Sequence, residues 1–172
     1  MIFAEDLIKI IKKNKVNFFT GVPDSILKNL STYLDKKTKH NHILSTNEGS
    51  SIAIATGYHL STKKIPAVYF QNSGLGNAIN PIISVAHKKV YSIPMLLIIG
   101  WRGEPDNKDE PQHDFQGEIT LEQFKNYTAL ISGIKIARIG LILILLSIPV
   151  VNVITGTILI ANILISLSGS IN

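Results

Sequence analysis

A single acidic residue, Glu48, lies among small residues in the stretch STNEGSSIAIATGYHLS, residues 45–61. The apolar residues on either side place Glu48 where a strand ends and a helix begins. Exposed N–H groups and the dipole favour an anion at a helix start, so Glu48 could be a simple N-terminal acid. No cationic side chain adjoins it in the sequence, which leaves open a second interpretation: the carboxylate has a chemical role.

A glycine-containing stretch, NSGLGN at residues 72–77, follows about two dozen residues later. It matches neither the G-x-G-x-x-G pattern of dinucleotide sites nor the G-K-[ST] of phosphate loops. Gly74 and Gly76 could let the backbone lie flat against a ligand ring, or they could serve only a tight strand-to-helix turn.

A long charged segment, WRGEPDNKDEPQH at residues 101–113, completes the set of candidate loops. Loops of this length in compact domains are typically functional or mobile. Arg102 has the planar fork that suits a carboxylate or phosphonate oxygen pair. His113 could equally be a surface histidine, and DNKDE at 106–110 indicates a solvated tip.

Regular alternation of strands and helices positions these loops. Helical spacing of apolar residues predicts a first helix over residues 3–14. The predicted strands are VNFFTGV (16–22), HILSTNE (42–48), IPAVYFQ (65–71) and IPMLLIIGW (93–101), and the helices between them are PDSILKNLSTYLDK (23–36), GSSIAIATGYHLST (49–62) and a helix after NSGLGN. Strands that are apolar on both faces predict an α/β fold, a doubly wound parallel sheet flanked by helices.

In such sheets the ligand site lies beyond the carboxyl ends of the strands. Each predicted strand is followed there by a polar loop: TGVPDS, TNEGSS, QNSGLGN and the segment after Gly100. The fold therefore predicts one rim that gathers Asp24, Ser25, Glu48, Asn72, Ser73, Asn77, Arg102 and His113.

Composition divides the chain into two parts. All twelve acids precede residue 123, and the last basic residue is Arg138. We therefore predict an α/β domain over 1–127 and an apolar tail over 128–172. The absence of cysteine excludes disulfides and Cys-based metal sites and fits a cytoplasmic protein. The net charge of +5 comes from lysines scattered over amphipathic faces, which indicates solvated surfaces and no nucleic-acid partner.

The apolar tail admits three interpretations. Its more than 20 uncharged residues satisfy the length rule for a membrane helix, and Lys135 and Arg138 before it favour a cytoplasmic N-terminal side. The same residues could instead form buried strands or a packing extension. A third interpretation is the product of a reading-frame slip in an AT-rich gene.

Three segments together carry a resemblance to a known family: FFTGVPDSILKNL, the run from NEGSS to NAINPI, and IPMLLIIGWRGEPDNKDEPQH. In order and spacing, over roughly residues 1–125, they resemble the N-terminal pyrimidine-binding domain of thiamine-diphosphate enzymes. Within that superfamily they look most like phosphonopyruvate decarboxylases and next like sulfopyruvate decarboxylases.

The resemblance implies roles for the rim residues. Glu48 matches the glutamate that hydrogen-bonds N1′ of the cofactor's aminopyrimidine and is the expected catalytic residue. The expected pyrimidine-binding residues are Asn72, Ser73, Gly74, Leu75, Gly76 and Asn77, and the expected substrate-facing residues are Asp24, Ser25, Arg102 and His113. The implied reaction releases CO2 from phosphonopyruvate and leaves phosphonoacetaldehyde.

The family also needs a domain that binds the diphosphate through Mg²⁺, marked by a Gly-Asp-Gly…Asn stretch. No such stretch follows residue 125, so the resemblance implies a partner domain or subunit that carries the Mg²⁺. The isolated chain is then expected to be inactive, with no metal ligands of its own. Two alternatives stay open: the alpha subunit of a two-chain sulfopyruvate decarboxylase, and a non-catalytic remnant or binding module.

A homo- or hetero-oligomer is expected, because pyrimidine and diphosphate domains of this superfamily meet across subunits. A flat patch of small and apolar residues is a candidate interface. Its members are Ala53, Ala55, Gly57, Ile79, Pro81 and Ile82. The alternative is that these residues only pack helix against sheet.

Overall fold

The computed structural model describes residues 4–87, 89–105, 108–129 and 142–147. Within these residues the strands are β1 (Phe18–Gly21), β2 (His42–Leu44), β3 (Pro66–Gln71), β4 (Leu96–Trp101) and β5 (Ile142–Ser147). The helices are α1 (Ala4–Lys13), α2 (Lys28–Lys37), α3 (Glu48–Thr62), α4 (Leu75–Pro81) and α5 (Pro111–Ala129). All described strands are parallel, in the order β2-β1-β3-β4-β5, which confirms the predicted fold class.

Each face of the sheet carries its own apolar core. Tyr69 of β3 points to the layer of α1 and α2, whereas its neighbour Phe70 points to α3, α4 and α5. Both side chains are fully buried, as expected for strands covered on two faces. The chain leaves β1 toward β2 and returns to the other side of β1 at β3, so the topological switch point lies between β1 and β3.

Helix α3 begins at Glu48, directly after its capping residue Asn47. Asn47 has extended backbone and caps the helix, because its side-chain oxygen accepts a hydrogen bond from Ser50 N at 2.9 Å. Glu48 is therefore the first residue of α3. The helix ends at Thr62, and the C-cap residue Lys63 has a left-handed φ of 60°.

Several predicted boundaries were wrong: β2 ends at Leu44 and not at Glu48, and two others differ for local reasons. Helix α2 begins at Lys28 and not at Pro23, because Asp24 Oδ1 accepts hydrogen bonds from Ile26 N and Leu27 N and holds a turn there. The predicted loop after β4 is shorter than expected, because α5 already begins at Pro111. Proline suits the first helical position, where no intrahelical N–H bond is lost.

The candidate interface patch was wrong at two of its members. Ile82 is 6% exposed and Ala55 is fully buried, and both belong to the core between the sheet and α3 and α4. Ile82 is the first residue of a π-helical segment, Ile82–Ala86, that continues α4, and it is buried there. Ala53 and Gly57 remain exposed on α3.

The apolar tail is described over one segment. Strand β5 pairs in parallel with β4 along its whole length, from Leu96 opposite Ile142 to Trp101 opposite Ser147. The predicted boundary at 127 and 128 lies inside α5, and residues 130–141 and 148–172 lie outside the described residues. Within the part that is described, no helix combines the length and apolar character needed to cross a membrane.

Candidate functional site

The loops that follow β1, β3 and β4 are joined by direct contacts at the carboxyl ends of the strands. Arg102 Nη1 donates to Ser25 Oγ at 3.3 Å and so links the loop after β4 to the loop after β1. Asn72, directly after β3, bonds to the backbone of Arg102. Glu48, after β2, bonds to Asn77 at 2.8 Å. The predicted rim therefore forms two linked groups, one around Glu48 and one around Arg102.

The Glu48 carboxylate is half-buried and only partly satisfied. Asn77 Nδ2 donates to Oε2 at 2.8 Å, and no donor among the described residues reaches Oε1. No ion pair within the described residues involves Glu48. A carboxylate that has hydrogen-bonding capacity left over at a helix start can accept a donor from a ligand.

Gly74 and Gly76 determine how much free space the loop after β3 leaves near the Glu48 carboxylate. A Cβ added to Gly74 would lie 2.2 Å from Glu48 Oε1, so the carboxylate occupies space that only glycine leaves free. A Cβ added to Gly76 would meet no atom within 4 Å, and Gly76 is exposed. Leu75 between them is fully buried in the core, so it offers no exposed surface at the rim.

Asn72 and Ser73 make contacts within the chain. The fully buried Asn72 side chain donates to Arg102 O at 2.9 Å and to Thr120 Oγ1 at 2.8 Å, and accepts from Arg102 N at 3.1 Å. Asn72 thus fixes the end of β4 against α5. Ser73 is exposed and lies 2.6 Å from Gln71 Nε2, which donates to its hydroxyl.

Asp24 presents one carboxylate oxygen to the protein interior. Oδ1 holds the turn before α2, whereas the buried Oδ2 has no hydrogen-bond partner. Gly100 makes room for it, since a Cβ there would lie 3.1 Å from Oδ2. Burial raises the pKa of Asp24, although N–H donation from Leu27 and Ile26 opposes the shift.

Asp109 is the site residue that the sequence interpretation missed. It accepts two hydrogen bonds from the Arg102 guanidinium, through Nε at 2.7 Å and through Nη2, and another from Gly103 N at 2.8 Å. The predicted solvated tip is wrong at this residue, because its side chain is only 18% exposed. The hydrogen bond from Arg102 holds the pKa of Asp109 far below its usual range.

His113 lies in the first turn of α5 and is half-buried. Its carbonyl group packs against Gly103, whose φ of +65° favours glycine and whose added Cβ would lie 1.9 Å from His113 O. Trp101 Nε1 donates to Gly117 O at 3.1 Å and fixes α5 against the end of β4. Among the residues that the structure describes, no three His, Cys, Asp or Glu side chains are grouped to hold a metal ion.

Residues 1–125 match the family described as thiamine pyrophosphate enzyme, N-terminal TPP binding domain, and the chain belongs to that family. Among characterised relatives, a phosphonopyruvate decarboxylase of Streptomyces viridochromogenes is 38% identical over 120 residues, which cover 70% of this chain and 30% of the relative. The sulfopyruvate decarboxylase subunit alpha of Methanococcus maripaludis is 41% identical over 109 residues, covering 63% of this chain and 64% of that subunit. The chain thus spans about a third of the first relative's length.

Solved structures agree on the fold. The benzoylformate decarboxylase of Polynucleobacter necessarius superposes with a TM-score of 0.53 at 20% identity, covering 89% of this chain and 32% of that enzyme. A thiamine diphosphate-dependent 4-hydroxybenzoylformate decarboxylase of Rhodococcus jostii gives 0.54 at 17% identity, covering 94% and 33%. At these identities the likeness shows the fold alone.

The rim residues fit the pyrimidine end of the family's cofactor. An aminopyrimidine is flat and offers a ring nitrogen that can share a proton with a carboxylate. Glu48 provides a carboxylate with one oxygen that has no donor among the described residues, and the exposed Gly76, next to Asn77 in the chain, provides a surface without a side chain.

Proposed function

We propose that this chain forms the pyrimidine-binding half of a thiamine-diphosphate-dependent decarboxylase that converts phosphonopyruvate to phosphonoacetaldehyde and CO2. The Glu48 carboxylate carries the proposal, because among the described residues it is held by the Asn77 amide alone, pairs with no cation and has no protein donor at Oε1. The 38% identity to a phosphonopyruvate decarboxylase supports the choice of substrate.

Each residue on the Glu48 side has a separate task in this proposal. Glu48 would hold a proton between Oε1 and the ring nitrogen of the pyrimidine. Asn77 keeps the carboxylate in place, and Gly74 leaves the space that the carboxylate needs. When bound, thiamine diphosphate supplies the electron sink that loss of CO2 from a 2-oxo acid requires.

The residues on the Arg102 side would receive the substrate. Arg102 and Ser25 present an N–H and a hydroxyl group at the exposed part of the rim, where an anionic group could bind. Burial raises the pKa of Asp24, so this carboxyl group would keep its proton to a higher pH than an exposed one. Asp24 and His113 are proposed to complete the substrate side of the rim.

A second half would bind the diphosphate and Mg²⁺, either in the same protein or as a separate subunit. The second candidate function follows from this requirement: the chain acts as the alpha subunit of a sulfopyruvate decarboxylase. The specific observation in its favour is the 41% identity to such a subunit, of which the chain covers 64%. Assembly of a homo- or hetero-oligomer is part of both candidates.

The test is CO2 release by the full chain co-expressed with a diphosphate-binding half, such as the unmatched remainder of the Streptomyces relative. Phosphonopyruvate should be turned over faster than sulfopyruvate; the opposite preference would favour the second candidate. Glu48→Gln should lower kcat by about 10²–10⁴-fold, the range for loss of an acid–base group. The exposed Glu122→Gln is the matched control and should keep full activity.

A Glu48→Gln variant with wild-type kcat would remove the proposed role of Glu48. No CO2 release with either substrate, together with no binding of thiamine diphosphate, would point to a non-catalytic binding module.

A further inference from the structure

The carboxylate of Asp109 is saturated by four hydrogen bonds. Oδ2 accepts from Arg102 Nε at 2.7 Å and from Gly103 N at 2.8 Å. Oδ1 accepts from Arg102 Nη2 and from Glu110 N at 2.8 Å. A carboxylate offers about four lone-pair sites, so Asp109 has no capacity left for a ligand. Two backbone N–H groups hold the Asp109 carboxylate in place. It therefore fixes the position of Arg102 and does not compete with a ligand anion.

Arg102 is consequently held from two directions. Its backbone N–H and carbonyl group bond to the Asn72 side chain at 3.1 Å and 2.9 Å. Its guanidinium group is gripped by Asp109 along the edge formed by Nε and Nη2, with both side chains less than a fifth exposed. A bidentate pair of this kind fixes the plane of the guanidinium group as well as its distance.

The remaining edge of the guanidinium group points to the open rim. Nη1 donates to Ser25 Oγ at 3.3 Å, and this contact lies on the exposed side of the pair. Ser25 itself is exposed and makes no other side-chain hydrogen bond within the described residues. An N–H donor and a hydroxyl group thus lie side by side in an exposed contact, next to the fixed Arg102–Asp109 pair.

We propose that Asp109 is a positioning residue for substrate: it holds Arg102 so that Nη1 and Ser25 Oγ form a subsite for the terminal anion of a phosphono- or sulfo-substituted 2-oxo acid. The inference rests on the proposed function for the identity of the substrate. It adds a residue that touches no substrate and yet sets how tightly the anion binds.

The experiment follows Arg102 directly in the full chain by nuclear magnetic resonance. The Arg102 Nε–H signal is assigned by its disappearance in Arg102→Lys and is titrated with phosphonopyruvate. Wild type should show a saturable shift. Asp109→Asn should weaken binding about tenfold, equivalent to the loss of one charge-assisted interaction, and should speed exchange of this N–H with water. Asp109→Glu, which keeps the charge, should fall between the two.

Asp114→Asn is the matched control, since this exposed aspartate lies five residues away and makes no side-chain hydrogen bond among the described residues. It should bind within about twofold of wild type, the spread of exposed substitutions. Affinity in Asp109→Asn equal to or tighter than wild type would overturn the proposal, as would a wild-type Arg102 signal that ignores phosphonopyruvate. If Asp109→Asn does not fold, Asp109→Glu decides: weaker binding supports the inference and wild-type affinity overturns it.

This titration requires neither catalytic turnover nor a diphosphate-binding partner half. Its failure would therefore leave the decarboxylase proposal standing on CO2 release and Glu48→Gln, and failure of those would leave the Arg102 titration intact.

Discussion

The carboxylates of Asp109 and Glu48 lie on the same rim but differ in how many hydrogen bonds they accept. Among the described residues, Asp109 accepts four hydrogen bonds, two of them from a cation, whereas Glu48 accepts one, from the Asn77 amide. The difference extends to their surroundings. A Cβ at Gly117 would collide with the backbone of Gly103, whereas the atoms nearest to one at Gly74 belong to the Glu48 side chain.

We therefore expect substitutions on the two sides of the rim to have different effects. The Arg102 side is locked by backbone contacts and internal hydrogen bonds, so substitutions there should mainly change stability and orientation. The Glu48 side keeps unused hydrogen-bonding capacity, so substitutions there should change ligand binding more than stability.

The largest stability effect is expected at Gly117. Its added Cβ would lie 1.5 Å from Gly103 O, and a backbone atom cannot move aside as a side chain can. Gly117→Ala should destabilise the chain by about 3 kcal/mol, at the upper end of overpacking effects, in urea unfolding. Gly57→Ala is the control, because nothing lies within 4 Å of its Cβ position and alanine favours the helix. Equal stability of the two variants would remove the distinction between a locked and an adaptable side.

At Gly74 the same substitution should separate stability from function. The Glu48 side chain can rotate away from the new methyl group, so Gly74→Ala should cost less than about 1 kcal/mol in urea unfolding. The rotation breaks the bond from Asn77, so turnover of the assembled enzyme should fall at least about tenfold. A variant with full turnover would show that the observed Glu48 position is not the functional one.

Lowering the pH should reduce the contribution of the Arg102–Asp109 pair to the free energy of unfolding. The pKa of Asp109 is lowered in the folded chain by the hydrogen bond from Arg102, so the unfolded chain takes up the proton first. Stability is then present above the ordinary aspartate pKa and falls as the pH drops below about 4. Urea unfolding between pH 7 and pH 3 should show a shallower loss for Asp109→Asn than for wild type. Asp114→Asn should keep the wild-type slope.

The smallest effect is expected at the sheet edge, at His42 of β2. His42 Nε2 lies 2.8 Å from Tyr69 Oη, and burial lowers the pKa of His42. The unfolded chain therefore binds the proton more tightly, so stability should fall as the pH drops below about 6.5. His42→Gln should flatten this dependence between pH 7.5 and 5.5 in urea unfolding, and the exposed His40→Gln should leave it unchanged.

The sequence predicted the elements better than the contacts between them. Strand and helix periodicity located β1 to β4, because strands buried on both faces leave long apolar runs. It placed the start of α2 too early, because the side-chain turn at Asp24 cannot be distinguished from a helix cap. Ile82 was assigned to the surface because apolar spacing alone does not show which apolar residues pack in the core and which face outward.

The site was predictable where a residue is unusual for its position and not where it is ordinary. Glu48 drew attention as a lone acid among small residues. Asp109 is one of several charges in DNKDE, and only the folded chain distinguishes it from the others by its bond to Arg102. A near-neighbour arginine at the strand end was the one signal in the sequence that could have identified it.

The most direct test of the central claim is the affinity for thiamine diphosphate, measured by calorimetry in the assembled enzyme. We propose that the Glu48 carboxylate binds the cofactor, whereas the Asp109 carboxylate binds only Arg102 and backbone N–H groups. Glu48→Gln should therefore weaken the binding of thiamine diphosphate at least about tenfold. Asp109→Asn should bind the cofactor within about twofold of wild type. Wild-type affinity in Glu48→Gln, or an equal loss in both variants, would contradict the account.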